Sequence, residues 1–373
     1  MATVAHVAGV KHSAPVNSVA RPWIRSRFFD TALLAFCWVP IYVWVVFGLG
    51  LGAEPFGYAP LTTMQSQRAL SLAILVVLGL TYVHRHYTFV LVYGDGPTFR
   101  ERAVAYIAAP VIVFGLAALT LTHDQPIAGV HPFTAMLVVS GLWNVWHTVQ
   151  QRYGILRAYA GKAGGGLQTR EHSRRDRALL WMLVLALAVL LPWSRATTFE
   201  SHPNALRVLR NLQPVVEHPA YVVLVLAVLA ALASVAMRWW RFERDAEVDR
   251  GPRWMFLTST VLLLAVFIVH GPIVGYLCFG AAHALEYLAF VHHFAERRFQ
   301  GEHRSIAATF LGRPLVFAPV LIAGLGLLYL ASRDHQHTEV YLAYYVGTSM
   351  LHFLYDGWIW KLRQPKVAKP LLM

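Results

Sequence analysis

The length of its apolar runs constrains this chain more than any other feature. About ten stretches, 29–52, 68–93, 102–122, 134–159, 177–193, 219–238, 254–270, 272–296, 314–331 and 338–361, are predominantly apolar. Each is close to the roughly 20 residues that a helix needs to cross a bilayer. In hydrocarbon the backbone must satisfy its own hydrogen bonds, which a helix does within one segment. The predicted fold class is therefore all-α: a polytopic transmembrane helical bundle of about ten spans.

Composition excludes the main alternatives. The 373 residues are 57% hydrophobic and 14% charged, against roughly 25% charged in a soluble domain. The net charge of +13 raises nucleic acid as a partner, but the basic residues cluster between apolar runs. That pattern belongs to membrane topology, and no nucleic-acid partner is expected. Cys37 and Cys278 sit inside apolar runs, so no disulfide framework is expected. The glycines from Gly161 to Gly166 lack the preceding strand and following Lys-Ser/Thr of a phosphate-binding loop.

Loop charge orients the spans. Basic residues follow the even-numbered spans: Arg100 and Arg102, then Lys162 to Arg177, Arg241 to Arg253, Arg297 to Arg313, and Lys361 to Lys369. Arg21, Arg25 and Arg27 precede the first span. The positive-inside rule then makes both termini cytoplasmic. Three regions follow: a disordered cytoplasmic tail over 1–28, the bundle over 29–361, and a basic cytoplasmic C-terminal tail over 362–373. No signal-peptide pattern precedes the first span. The expected location is a bacterial inner (cytoplasmic) membrane. Ser194 to His218 is the longest non-cytoplasmic segment and carries Arg195, Arg207 and Arg210 against the charge rule. A short interfacial helix is expected there, from Asn204 to Leu212. His270-Gly271-Pro272 divides spans seven and eight as a tight hairpin or as a kink in one helix.

Polar residues at membrane depth are not scattered. Span 2 holds His84, Arg85 and His86, and span 4 holds Asn144, His147, Gln150, Gln151 and Arg152. Span 8 holds His283, Glu286, His292 and His293, and span 10 holds His352 and Asp356. All four spans are even-numbered and run in the same direction. His84 lies ten residues before Gly94, His147 ten before Arg157, Glu286 eleven before Arg297 and His352 nine before Lys361. At 1.5 Å per residue these positions lie roughly 14–17 Å from the cytoplasmic boundary, near mid-membrane. Buried ionisable groups are expensive unless paired, hydrated or bound to metal, so a shared site is expected. His352 with Asp356 (i, i+4) and His283 with Glu286 (i, i+3) can each co-ligate one ion, or the acid can orient the imidazole. His84 and His86 point about 200° apart on a regular helix, so a single site takes both only if the helix is distorted. Arg85 and Arg152 need partners, for which Asp356, Glu286 and Asp95 are the available acids. His172 looks like an ordinary solvated loop residue.

Imidazole with carboxylate favours iron, zinc, copper or manganese over calcium or magnesium. A histidine-rich site on four parallel membrane helices resembles the integral-membrane non-haem iron oxygenases of desaturase and hydroxylase type. The resemblance is one of class and rests on His84, His86, His147, His283, His292, His293 and His352 as metal ligands. The family's HxxxH and HxxHH boxes are not reproduced, and the one adjacent pair is His292-His293. The resemblance implies a metal-dependent oxidoreductase with one or two non-haem iron ions that activate dioxygen. Glu286 and Asp356 are its candidate catalytic carboxylates. A lipophilic small-molecule substrate would enter laterally from the membrane lipids, and electrons would come from a cytoplasmic donor on the basic face. The alternatives are a haem protein, with His147 and His352 axial and Arg85 and Arg152 on propionates, and a transporter with a midplane site. Carboxylates at i+3 and i+4 favour non-haem metal, because haem iron usually takes no acid ligand.

Overall fold

Every apolar run lies in helix. A computed structural model describes residues 22–52, 63–123, 125–127, 129–164, 169–194, 213–245, 248–301, 304–335 and 338–372. The first run is a pair, α1 (Arg27–Ala35) and α2 (Val39–Gly48), bent by 47°. The others are α3 (Met64–Tyr93), α4 (Gly96–Glu101), α5 (Ala103–Thr122), α6 (Pro132–Ala163), α7 (Arg170–Ser194) and α8 (Pro219–Asp245). They are followed by α9 (Gly251–His270), α10 (Pro272–Arg298), α11 (Ile306–Phe310), α12 (Pro314–Ser332), α13 (Glu339–Ile359) and α14 (Pro365–Leu372). Among the described residues no strand forms, only the isolated bridge between Ile127 and Val130.

Five helices, α3, α5, α8, α9 and α10, are long and apolar enough to cross a membrane by themselves, or six crossings if α1 and α2 form one span. Of the remaining helices, α6 and α13 carry polar groups at mid-length, and the apolar part of α12, Val316–Ser332, is shorter. The exposed residues suit a lipid surface. Val104 and Val111 on α5, Val223 and Leu226 on α8, and Leu327 on α12 are each at least 61% exposed. Apolar faces of this extent on a water-soluble monomer would mark a binding surface or an aggregation hazard.

α9 and α10 are two helices in a hairpin. Gly271 has φ +90°, which a side chain would resist, and Pro272 opens α10. Past the turn the helices close up at Gly275, where a Cβ would lie 2.3 Å from the Phe267 ring. α10 then runs through the centre of the bundle: 61% of its apolar window is buried, against 11% for α8. One side packs on α3, α11 and α14 through Val291, Phe294 and Leu371. The other meets α2, α3 and α9 through Leu277, Cys278 and Ala281.

Helices α3, α6, α10 and α13 end at the same side of the bundle. Arg298 pairs with Asp95 at 2.5 Å just beyond α3, and Trp360, after α13, meets Phe294 on α10 edge to face at 5.0 Å. Lys162 Nζ on α6 reaches Leu372 O at 3.4 Å. Arg25 pairs with Glu296, so the described N-terminal residues sit at this end too. Within 362–373, α14 buries Val367 and Leu371, spaced i, i+4, against α10. Most of the expected N-terminal tail and the expected interfacial helix Asn204–Leu212 lie outside the described residues.

Candidate metal centre

The parallel direction of α3, α6, α10 and α13 brings their mid-helix histidines together. His84 and His283 rings lie 4.7 Å apart, His84 and His352 4.5 Å, His147 and His352 4.8 Å, and His147 and His283 5.2 Å. All four are at most 5% exposed. Asp356, one turn beyond His352 on α13, points its Oδ2 at the group, 3.8 Å from both His147 Nε2 and His352 Nε2. Ligand atoms of His84, His283 and His352 all lie within 4.8 Å of one another, as do those of His147, His352 and Asp356.

Hydrogen bonding narrows what these rings present. His84 Nδ1 lies 2.7 Å from the Thr81 carbonyl, an acceptor, so Nδ1 carries the proton and Nε2 is left unprotonated. His352 Nδ1 lies 2.7 Å from Thr88 Oγ1, whose single proton has two further neighbours, Asp356 Oδ1 at 3.0 Å and Tyr287 Oη at 2.5 Å. His84 Nε2 faces His352 Nε2 at 3.0 Å. An N–H on His352 Nε2 bridges that pair; with the Thr88 proton on Asp356 instead, His352 carries its proton on Nδ1, and the two facing lone pairs call for a cation between them. Two nitrogens on one ion, each bound at about 2.1 Å, sit roughly 3 Å apart when cis. His147 Nε2 and both ring nitrogens of His283 are buried with no hydrogen-bond partner among the described residues. The donor set is nitrogen and oxygen, because Cys37 and Cys278 are outside it. An open set of this kind fits a transition metal.

Asp356 is held from behind. Tyr287 donates to its Oδ1 at 2.8 Å, and Thr88 shares that oxygen. The Tyr287 ring stands 5.4 Å from both His84 and His352. Such outer contacts set the tautomer and orientation of metal-binding groups.

The other expected residues lie elsewhere. Glu286, three residues after His283, turns to α6, where Arg152 Nη2 donates to its Oε1 at 2.5 Å. Gln151 Nε2 reaches the same carboxylate at 3.4 Å and the His283 carbonyl at 3.0 Å. His86 stacks 4.1 Å from Tyr82 and meets Tyr344 Oη at 2.7 Å. His292 joins Tyr87 Oη at 3.1 Å to the Leu311 carbonyl at 3.0 Å. His293 accepts from Arg297 at 2.5 Å. Asp95 takes Arg298, so neither Asp95 nor Asp356 pairs with an arginine of the bundle interior.

Thr88 carries no charge and went unnoticed in the sequence, although its i, i+4 spacing from His84 puts it on the same face. A second buried cluster was also missed. His172 is fully buried, with Nε2 2.8 Å from Glu243 Oε1 and 2.8 Å from Arg253 Nη2. Arg253 bridges Asp176 Oδ1 and Glu243 Oε1, each at 2.7 Å, and Arg157 takes the other oxygen of Asp176 at 2.9 Å. Ligand atoms of His172, Asp176 and Glu243 also lie within 4.8 Å of one another, but here two guanidinium groups already balance two carboxylates and Arg253 contacts all three residues.

Comparison of the chain with protein-family models, with curated proteins and with solved structures gives no match.

Proposed function

We propose that this chain is an integral-membrane, metal-dependent oxidoreductase of oxygenase, hydroxylase or desaturase type. It holds one or two non-haem iron ions through His84, His147, His283, His352 and Asp356, and acts on a lipophilic substrate. The observation that carries this reading is the convergence of four buried imidazoles and Asp356, with the Nε2 atoms of His84 and His352 3.0 Å apart beside the unpartnered His147 and His283 nitrogens. When bound, iron would supply the dioxygen chemistry. The protein's part is to hold the ion with four imidazoles, offset its charge with Asp356, and keep bulk water out by burial. Thr88 and Tyr287 keep Asp356 and His352 aimed.

A haem is less well supported. Four imidazoles and a carboxylate exceed the two axial positions of haem iron, and Arg152, one of two arginines suited to propionates, is taken by Glu286. In the proposed topology all ten helical segments cross the membrane, with both termini in the cytoplasm. The end where α3, α6, α10 and α13 finish carries Lys162, Arg297, Arg298, Lys361, Arg363 and Lys366. That basic surface suits an acidic cytoplasmic electron donor.

The test is elemental analysis and an optical spectrum of purified full-length protein. Iron at one or two equivalents without an intense Soret band is expected. His147→Ala and His352→Ala should lose metal and activity while still inserting and accumulating. A strong Soret band would move the assignment to haem. An active preparation free of transition metal would leave a transport site.

A further inference from the structure

Beside the histidine cluster lies a second, unpaired charge. Arg85 is 3% exposed, yet among the described residues no carboxylate forms an ion pair with it. Its Nη1 donates to the Tyr345 carbonyl at 3.0 Å and to Ser349 Oγ at 2.5 Å. Its Nε and Nη2 are buried with no hydrogen-bond partner. Those two atoms form the side edge of the guanidinium, which binds a carboxylate through two parallel N–H···O bonds. The same edge of Arg253 holds Glu243, with Nε at 3.0 Å and Nη2 at 2.7 Å. Arg85 thus has the geometry of an occupied arginine fork, without the acid.

We infer that the free edge of Arg85 is a binding site for the carboxylate of an apolar amphiphile, a free fatty acid or a relative of one. An unpaired guanidinium at this depth is costly, and an incoming anion removes the cost. A single cation matches a single negative charge. Its deep burial favours a small planar terminal group over a phosphodiester substituted on both sides. The surroundings are aromatic: Arg85 lies 4.2 Å over the Tyr345 ring, and Tyr82 bonds Tyr344 through their hydroxyls at 3.0 Å. Tyr341, Tyr344 and Tyr345 are half-buried, so this wall continues to the lipid-facing surface. Tyr345 and Ser349 precede His352 by seven and three residues on α13, which is roughly 5–10 Å along the helix. The Arg85 edge therefore lies within a few carbons' length of the level of His352, within reach of an alkyl chain anchored there. As a substrate site this rests on the proposed oxidoreductase function; as a carboxylate site it stands without it.

The test compares palmitate with hexadecanol, the same chain without the charge, in equilibrium binding to the purified full-length protein. Wild type should bind palmitate about 10–100-fold more tightly, the range for a charge-assisted pair of hydrogen bonds. Arg85→Gln should erase that preference and keep the wild-type iron content, and Arg85→Lys should restore it in part. Ser349→Ala removes an Nη1 partner but leaves the free edge, so it should keep the preference. Equal binding of the two probes to wild type overturns the inference even if Arg85→Gln fails to fold. So does a preference that survives in Arg85→Gln. Chelator-treated wild type should still prefer palmitate. Loss of the preference on chelation would put the carboxylate on the metal instead, overturning the Arg85 site while upholding the metal centre. Stronger binding of inorganic phosphate or phosphatidylglycerol would overturn the carboxylate assignment. An intense Soret band lost in Arg85→Gln would identify the carboxylate as a haem propionate and overturn the lipid occupant.

Discussion

Thr88 Oγ1 lies 2.7 Å from His352 Nδ1, and that contact holds the imidazole with its Nε2 toward His84. A metal at Nε2 requires the ring proton on Nδ1, where Thr88 accepts it. Thr88→Val keeps the shape and removes the hydroxyl, which frees the tautomer and releases one of the two holds on Asp356. Tyr287→Phe releases the other. Each variant is expected to weaken metal binding about 10–100-fold, the usual cost of losing a group that orients a ligand. Thr88→Ser should stay near wild type. The measurement is competition with a chromogenic chelator. Wild-type affinity in both Thr88→Val and Tyr287→Phe would detach this network from the metal.

Glu286 is expected to serve stability rather than metal binding. Its side chain is fully buried against Arg152, itself 4% exposed. Removing one partner of such a pair strands the other charge at a cost of about 3–5 kcal/mol. Glu286→Leu should therefore lower the thermal unfolding midpoint in detergent, and adding Arg152→Met should recover much of the loss. The double variant should keep its iron. Loss of iron with the four histidines intact would return Glu286 to the ligand set.

The all-helical fold was legible in the sequence because a backbone in hydrocarbon has few options, so run length located the long helices; the short α4, α11 and α14 and the bend between α1 and α2 leave no such signal. The site was legible where direction and depth sufficed. Counting from the cytoplasmic ends of parallel helices brought out His84, His147 and His352 as neighbours. It did not separate His283 from Glu286, three residues apart and about 60° around α10. What separates them is Arg152 on α6, and that contact depends on how the helices are rotated in the bundle. His172 was opaque for a related reason. Its partners Glu243 and Arg253 arrive from α8 and α9, and each reads locally as one more loop charge. Whether α6 and α13 cross the membrane is not set by local hydropathy, because their mid-length polar positions face protein.

The His172 cluster should bind no metal. Arg253 donates to both Asp176 and Glu243, and Trp239 Nε1 adds a bond to Asp176 at 2.8 Å. The charges are already matched, so His172→Ala should leave metal stoichiometry unchanged. Arg253→Met should instead leave the buried Glu243 without a guanidinium partner, Asp176 keeping Arg157, and reduce accumulation in the membrane severely. A drop in bound metal in His172→Ala, at wild-type protein yield, would show that a second ion uses these groups.

The final prediction concerns topology. Arg25 pairs with Glu296, and Lys162 reaches the Leu372 carbonyl, so the residues just before α1, the end of α6 and the end of α14 share one end of the bundle. Basic residues concentrate at that end, and the positive-inside rule predicts that it faces the cytoplasm. Reporter fusions within 165–168 and after Met373 should therefore both report cytoplasm. This requires an even number of crossings between α7 and α13. The hairpin at Gly271 supplies two of them, α9 and α10, which removes the simplest way to reach an odd count. The weakest remaining segment is α12, short and interrupted by Pro319. If α12 lay along the surface instead of crossing, the two fusions would give opposite signals. α13 would then run antiparallel to α3, which the contacts of Trp360 with Phe294 and of Lys366 with Glu101 oppose. It would also carry His352 and Asp356 away from His84. Opposite signals would thus overturn the topology and the shared histidine site together, whereas agreement upholds the parallel arrangement on which the metal centre depends.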